Sequence, residues 1–170
     1  MTMADVLLGT LVVLGLLVTL PSLGLLLRAL LPSAVGRSRG RILASPFLCF
    51  LAGLVPAAVL FGFSLALLQK GSPPLKVLGF VLLVAGFLVA GTGLAGLASL
   101  VGERLPSRAD DGRPWRGLLR GAVCLELSFL LPFVGWFGLL PLALVTAVGA
   151  ALMGSLSPGG GAPAEAPAAA

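Results

Sequence analysis

Long stretches without charge are the feature that most restricts how this 170-residue chain can fold. Residues 6–27, 42–68 and 77–102 contain no Asp, Glu, Lys or Arg, and residues 121–153 contain only Glu126. Runs of more than about 18 apolar residues are typical of membrane-spanning helices, because a helix in water needs a polar face. The sequence therefore predicts an all-α, polytopic membrane helix bundle with full spans at about 5–28, 44–68 and 75–101.

The composition agrees with a chain that lies in lipid. Hydrophobic residues make up 58% of it and charged residues only 10%, which leaves too little polar surface to cover a soluble core. The net charge of +5 does not indicate nucleic-acid binding, because the basic residues flank apolar stretches and form no continuous basic face. We expect the lipid bilayer as a partner and no nucleic acid.

The basic residues alternate between the two sides of the predicted bundle. Residues 28–41 hold four, residues 70–76 hold two and residues 104–120 hold five. Short basic connections stay in the cytoplasm, so this pattern predicts an N-terminus outside and an uncleaved first helix, since only Asp5 precedes the first apolar run. Contacts with lipid headgroups are expected from six of these residues: Arg37, Arg39, Arg41, Arg113, Arg116 and Arg120.

The fourth apolar stretch is too long for one straight span. Residues 121–153 would form a helix of about 50 Å, against a hydrocarbon core of about 30 Å. Proline and glycine in its middle favour a break, with legs at about 115–131 and 138–156, each slightly short for a full crossing. The alternative is one kinked helix that protrudes from the bilayer. The residues that mark the break are Pro132, Gly135, Trp136, Gly138 and Pro141.

Small residues at four-residue spacing predict where helices pack, because association in lipid depends on close backbone approach. We call such a row of small residues a stripe. One stripe, in the third span, consists of Gly91, Ala95 and Ser99. Another, in the return leg, consists of Thr146, Ala150 and Gly154. We expect these two helices to be the most buried. The pattern leaves open whether they meet each other, a second copy of the chain or another membrane protein.

Residues 1–156 form a single predicted transmembrane domain, and residues 157–170, rich in Pro, Gly and Ala, are predicted to be a disordered tail.

Histidine and tyrosine are absent from the chain. The two cysteines, Cys49 and Cys124, lack the spacing of a redox or metal site, and we interpret them as small apolar residues. We predict no catalytic residue, no metal and no cofactor.

Glu126 is the one charged residue inside the four apolar stretches. Such a residue costs roughly 2.5–3.5 kcal/mol on insertion scales and usually faces protein or water. It is a candidate for handling a proton or a cation. The alternative, which we favour because no partner carboxylate, His or Lys lies in the apolar stretches, is a structural carboxyl that is neutral or hydrogen-bonded to a neighbouring helix.

Short motifs at the ends of the spans resemble the C-terminal membrane segment that follows bactofilin-type β-helical domains in bacterial polymer-forming cytoskeletal membrane proteins. The segments that carry this resemblance are residues 27–32, 102–105, 120–121, 130–136, 142–144 and 147–150. The resemblance implies a membrane segment of the bacterial inner membrane. No run of alternating strands precedes Val6, so it implies neither polymerisation nor catalytic residues.

Three functions are considered. The leading hypothesis is a non-enzymatic anchor or scaffold component that packs against itself or a partner in the membrane. The second is a small transporter or channel, in which the broken element from Pro132 to Gly138 would face the substrate and Glu126 would supply the charge. The third, a membrane-embedded enzyme, is disfavoured by the missing His, Tyr and paired acidic residues.

Overall fold

The structure is a computed structural model that describes residues 3–105, 113–131 and 133–156, and all regular structure in these ranges is helical. The predicted all-α bundle is therefore confirmed. The predicted tail, residues 157–170, lies outside the described residues. The elements in chain order are α1 (Met3–Leu30), α2 (Pro32–Ala44), α3 (Pro46–Lys70), α4 (Pro73–Glu103), α5 (Pro114–Phe129), a π-helical segment (Val134–Leu139) and α6 (Leu140–Ser155).

Prolines set the starts of the helices. Pro32, Pro46, Pro73 and Pro114 each stand at the first position of a helix, where the missing backbone N–H has no intrahelical partner to lose. The fixed φ of proline also suits the first turn. The connections between α1, α2 and α3 are consequently short, with one residue between consecutive helices.

Among the described residues, three helical segments are long and apolar enough to cross a membrane: α3, α4 and the continuous segment Val134–Ser155. They contain 25, 31 and 22 residues, so each spans at least about 30 Å. The predicted full span at 5–28 is not among these three. Leu17–Leu30 of α1 passes the same test only together with Pro32–Ala44, and the two are bent by 111°.

The structure corrects the prediction for the basic segment between the first two spans, which we expected to be a connecting loop. It is the helix α2, which turns away from α1. Its buried residues, Val35, Ser38 and Ile42, recur at helical spacing and form one face. This face packs against α4 and α6, and that packing explains why the segment is helical and not a loop.

α4 lies at the centre of the bundle and packs against each of the other five helices. It runs antiparallel to α3, since Gly79 lies beside Ser64 and Gly86 beside Leu60. It also runs antiparallel to α5, because close contacts pair Gly102 with Gly117 and Ala98 with Gly121.

α6 is antiparallel to α3, because Gly53 of α3 lies between Val145 and Gly149 of α6, whereas Cys49 lies beside Gly149. α6 is therefore parallel to α4 and antiparallel to α5. The two legs of the broken element run in opposite directions, as the hairpin prediction requires. A single kinked helix, the alternative considered from the sequence, would not reverse direction in this way.

Two details of the break differ from the prediction. The second leg begins at Val134 and not at residue 138, because the backbone re-enters a helix as a π-helical segment. Two backbone N–H groups at the start of this segment are hydrogen-bonded: Gly135 N donates to Leu131 O at 3.0 Å, and Phe137 N donates to Phe133 O at 3.1 Å. The second leg is therefore long enough for a full crossing, whereas we expected both legs to be slightly short.

Candidate functional site

Most of the positive charge collects at one end of the bundle, which we call the arginine-rich end. The end of α1, all of α2, the end of α4 and the start of α5 meet there. Among the described residues of this end, Glu103 is the one acidic side chain. The opposite end carries Lys70 and Lys76. The arginine-rich end consists of Arg28, Arg37, Arg39, Arg41, Arg104, Arg113, Arg116 and Arg120.

α2 is held in a groove between α4 and α6 by the close approach of two glycines. A Cβ built on Gly96 of α4 would lie 3.0 Å from the backbone nitrogen of Arg39. A Cβ built on Gly154 of α6 would lie 3.3 Å from the backbone nitrogen of Ser38. Ser38 is only 1% exposed, and its hydroxyl donates to Ala34 O at 2.9 Å. The packing of this helix therefore fixes the positions of its arginines.

Two arginines form hydrogen bonds that join α1 and α2 to α4. Arg39 Nη2 donates to Glu103 Oε2 at 2.6 Å, and the two side chains are 39% and 53% exposed. An ion pair with this exposure contributes at most about 1 kcal/mol, so its role is mainly to orient α2. Arg28 Nη1 donates to Ser99 Oγ at 3.4 Å and joins the end of α1 to α4.

The six arginines predicted to contact lipid headgroups form two groups in the structure. Arg37, Arg39 and Arg41 lie on α2, and the others lie where α5 begins. The Arg116 guanidinium lies 5.5 Å from the centroid of the Trp115 ring, in a cation–π arrangement. All six lie at the same end of the bundle. Their contact with headgroups stays a prediction.

Glu126 is buried in the bundle, with only 2% of its surface exposed. Neither carboxyl oxygen has a hydrogen-bond partner in the described part of the chain. Leu118, Ala122 and Glu126 follow one another at four-residue spacing on one buried face of α5. This face meets α1, because Leu118 Cδ2 lies 3.5 Å from a Cβ built on Gly24.

A small cavity of about 30 Å³ lies between α1, α4 and α5, and Ala122 contributes to its wall. All the residues that line it are apolar, so it offers no hydrogen-bond partner to a carboxyl group. Glu126 does not line this cavity, but its buried carboxyl has no hydrogen-bond partner among the described residues, and an unsatisfied group of this kind is costly. A role in function is one explanation for its presence.

The predicted packing stripe of α4 is buried and faces α1 and α2. Gly91 lies against Leu27 of α1, and Ala95 packs with Leu27 and with Val35 of α2. Ser99 is 3% exposed and donates to Ala95 O at 2.8 Å. The stripe therefore does not face the return leg.

The predicted stripe of α6 is also buried; it faces α2 and α3, and Ala150 also clusters with Leu100 of α4. Ala150 is fully buried beside Ile42 and Cys49, and Gly154 lies against α2. Thr146 donates its hydroxyl to Leu142 O at 2.7 Å. The two predicted stripes therefore do not meet each other.

α4 and α6 make their closest contact at Gly93 and Ala147. A Cβ on Gly93 would lie 2.6 Å from the Cα of Ala147, and Ala90 packs against Val148. Gly93 has large residues, Val89 and Leu97, four positions away, so the spacing of small residues selected Gly91 and missed this contact. The close contact of α4 with α5 at Gly102 and Gly117 was missed as well, because it joins helices across a long connection.

Of the residues predicted to break the last element, Gly135 is the one that the backbone geometry requires. A Cβ there would lie 2.6 Å from the carbonyl oxygen of Ser128 and even closer to that of Phe129. Trp136, Gly138 and Pro141 are exposed on the outside of the bundle. Pro132 lies outside the described residues.

Among the described residues, no three His, Cys, Asp or Glu side chains come together as metal ligands. Cys49 and Cys124 are free thiols, the first buried and the second half-buried. They lie on different helices, α3 and α5, which do not pack extensively against each other. The candidate features are therefore the arginine-rich end and the isolated carboxyl of Glu126.

No protein-family model, curated protein or solved structure matches this chain. Its class follows from the fold, since an all-helical bundle with three membrane-length apolar helices satisfies its backbone hydrogen bonds within each segment. Large apolar side chains such as Val55, Phe63, Val77 and Phe80 face outwards, where lipid would cover them. The chain is an integral membrane protein.

Proposed function

We propose that this chain is a non-enzymatic anchor or scaffold component of the bacterial inner membrane. The observation that carries the proposal is the close packing of α2 against Gly96 of α4 and Gly154 of α6. This packing holds the arginines of α2 in a fixed surface at one end of the bundle. A scaffold needs a rigid surface that a partner can recognise. Arginine serves this purpose because its planar guanidinium binds carboxylates and phosphates through two parallel hydrogen bonds.

In the proposed orientation the arginine-rich end lies in the cytoplasm and the N-terminus lies outside. Basic connections of membrane proteins stay in the cytoplasm, and the end that carries Lys70 and Lys76 is far less basic. α6 ends beside Arg37 of α2, so the chain beyond Ser155 begins on the cytoplasmic side as well.

The bacterial assignment rests on the resemblance to the membrane segment of bactofilin-type cytoskeletal membrane proteins and on the Ala-, Gly-, Leu- and Arg-rich composition, which is typical of bacteria with GC-rich genomes. An anchor fits that resemblance, since the segment there holds another domain at the membrane. Nothing in this proposal requires the chain itself to polymerise.

We place the partner at the arginine-rich end. Gly53, Gly93 and Gly149 are closed to a partner helix, because each approaches the backbone of a neighbouring helix within the chain. One small-residue stripe stays open on the outside of α3, where Gly62 lies four residues from both Ala58 and Ala66. A helix packed on this stripe is the alternative to a partner with an acidic surface.

The mass of the intact complex, purified in mild detergent, tests the proposal. We expect the wild-type chain to purify with a stoichiometric partner, and the double variant Arg37→Gln, Arg41→Gln to lose it. The matched control is Lys70→Gln, Lys76→Gln, which removes the same charge at the opposite end and should keep the partner. A complex that survives in the arginine variant, or that is lost only in the lysine variant, would contradict this role.

Transport is the second candidate function, and one observation favours it. Glu126 is almost fully buried without a hydrogen-bond partner among the described residues, as expected for a group that exchanges a proton or binds a cation. The break between α5 and α6 would then be the discontinuity at which a substrate binds. Against this role, no second Asp or Glu is described between Pro114 and Ser155, so Glu126 has no acidic partner on its own hairpin.

A further inference from the structure

A wide apolar cleft of about 520 Å³ opens between the two legs of the broken element. α5 packs on α1 and α4, α6 packs on α2, α3 and α4, and the cleft separates the two. Leu97 of α4 forms part of its wall, and Leu125 of α5 and Leu142 of α6 lie on opposite sides. Phe47 at its edge is 70% exposed, so the cleft opens to the surroundings of the bundle.

The lining suits a flexible hydrocarbon chain better than another helix. Its side chains are mostly large, among them Ile42, Phe50 and Phe129, and they do not permit the close backbone approach that a membrane helix needs. The two hydroxyls in the wall are already used within their helices, since Ser128 donates to Cys124 O at 2.8 Å and Thr146 donates to Leu142 O at 2.7 Å. Neither hydroxyl of the cleft wall is therefore left without an acceptor that a polar ligand would have to supply.

One end of this cleft lies at the arginine-rich end of the bundle. Ile42 in its wall belongs to α2, the helix that carries Arg37, Arg39 and Arg41. An amphipathic ligand with an apolar tail and an anionic head would match both parts.

We propose that the cleft binds an acyl chain of an anionic glycerophospholipid, with the phosphate at the arginine-rich end. The apolar chain fills the space between α5 and α6, and charge complementarity sets the direction of the lipid. The cleft would then be a specific lipid site and not part of the general annulus. This site depends on the membrane location of the chain and not on its role as a scaffold.

Native mass spectrometry of the full chain, reconstituted in nanodiscs of phosphatidylglycerol and phosphatidylcholine in equal amounts, tests the site. We expect one phosphatidylglycerol molecule to remain bound to the wild type. Two variants fill the cleft, Ala143→Leu and Ser128→Leu, and the second changes a half-buried residue that the fold tolerates more easily. Each should reduce retained lipid at least fivefold, whereas the control Ala66→Leu, on the exposed side of α3, should retain it.

The headgroup is tested separately by Arg41→Gln. This variant should retain phosphatidylcholine and phosphatidylglycerol equally, because the cleft is unchanged and only the charge at its end is lost. Retention of phosphatidylglycerol at the wild-type level in Ser128→Leu would overturn the site. So would a wild-type mass of two protein chains that Ser128→Leu reduces to one, since a second copy would then occupy the cleft.

Discussion

Gly53 of α3 and Gly149 of α6 face each other so closely that a Cβ built on either would lie 2.7 Å from the backbone nitrogen of the other. Real Cβ atoms do not approach backbone atoms at this distance. α3 and α6 also form the most extensive helix pair in the bundle. The absence of side chains at these two positions therefore allows the return leg to pack against the second span.

The first prediction concerns this pair. Gly149→Ala should lower the free energy of unfolding by about 1–3 kcal/mol or more, because the added methyl meets backbone that cannot move aside. The control is Gly62→Ala in α3, where a Cβ meets nothing within 4 Å. Since alanine is the better helix former, the control should be neutral or slightly stabilising. Unfolding in mixed detergent, followed by circular dichroism, measures both. Equal stability of the two variants would contradict the proposed close packing.

The second prediction separates two neighbouring glycines of α4. Gly93→Ala should destabilise the bundle clearly more than Gly91→Ala. A Cβ on Gly93 meets the backbone of Ala147, whereas one on Gly91 meets the end of the flexible Leu27 side chain, 2.7 Å away. The same unfolding experiment compares the two variants. A larger loss for Gly91→Ala would show that the α1–α4 contact is the tighter one.

These glycines illustrate what the sequence can and cannot predict. The charge-free runs identified the helices that surround them, because a membrane span needs a length of apolar sequence and little else. The choice between Gly91 and Gly93 depends on which neighbour each helix face meets, and that is a property of the assembled bundle. Spacing on one helix carries no such information.

α2 is a different case, because its sequence contained a signal that the basic residues obscured. Pro32 is a typical first residue of a helix, and Val35, Ser38 and Ile42 recur on one helical face. The arginines between them favoured a solvated loop. Recognition of the proline and the periodicity together would have predicted the helix, although not its groove between α4 and α6.

The third prediction tests the orientation of the chain. Cysteine at Ser33, exposed on α2, should resist a membrane-impermeant maleimide in intact cells and react after permeabilisation. Cysteine at Ser72, exposed at the lysine end, should react in intact cells. Ser38 on the same helix is 1% exposed, so a cysteine there would resist the reagent from either side. The reverse pattern at Ser33 and Ser72 would invert the proposed orientation.

The fourth prediction concerns the end of the chain. A fluorescent protein fused after Ala170 should be bright, and alkaline phosphatase at the same position should be inactive, because α6 ends beside the arginine-rich α2. As a control, the same two reporters fused after Gly71, at the lysine end, should give the opposite result: active phosphatase and a dark fluorescent protein. Active phosphatase after Ala170 would mean that α6 ends outside the cytoplasm.

Glu126 decides between the scaffold and the transporter, and this is the last prediction. A buried carboxyl with no second Asp or Glu described on its own hairpin does not form a relay, which normally needs several titratable groups in series. Glu126→Gln keeps the shape and hydrogen-bonding capacity of the side chain. We expect this variant to fold, to insert and to bind a partner as the wild type does, with a change in stability within about 1 kcal/mol.

The most direct measurement is proton flux into vesicles that contain the purified full chain, with a pH-sensitive dye inside and an imposed gradient of pH and potential. A scaffold predicts that wild-type vesicles, Glu126→Gln vesicles and empty vesicles show the same leak. A flux that requires the wild-type chain, that Glu126→Gln abolishes and that Gly62→Ala leaves intact would contradict the scaffold and assign the chain to transport.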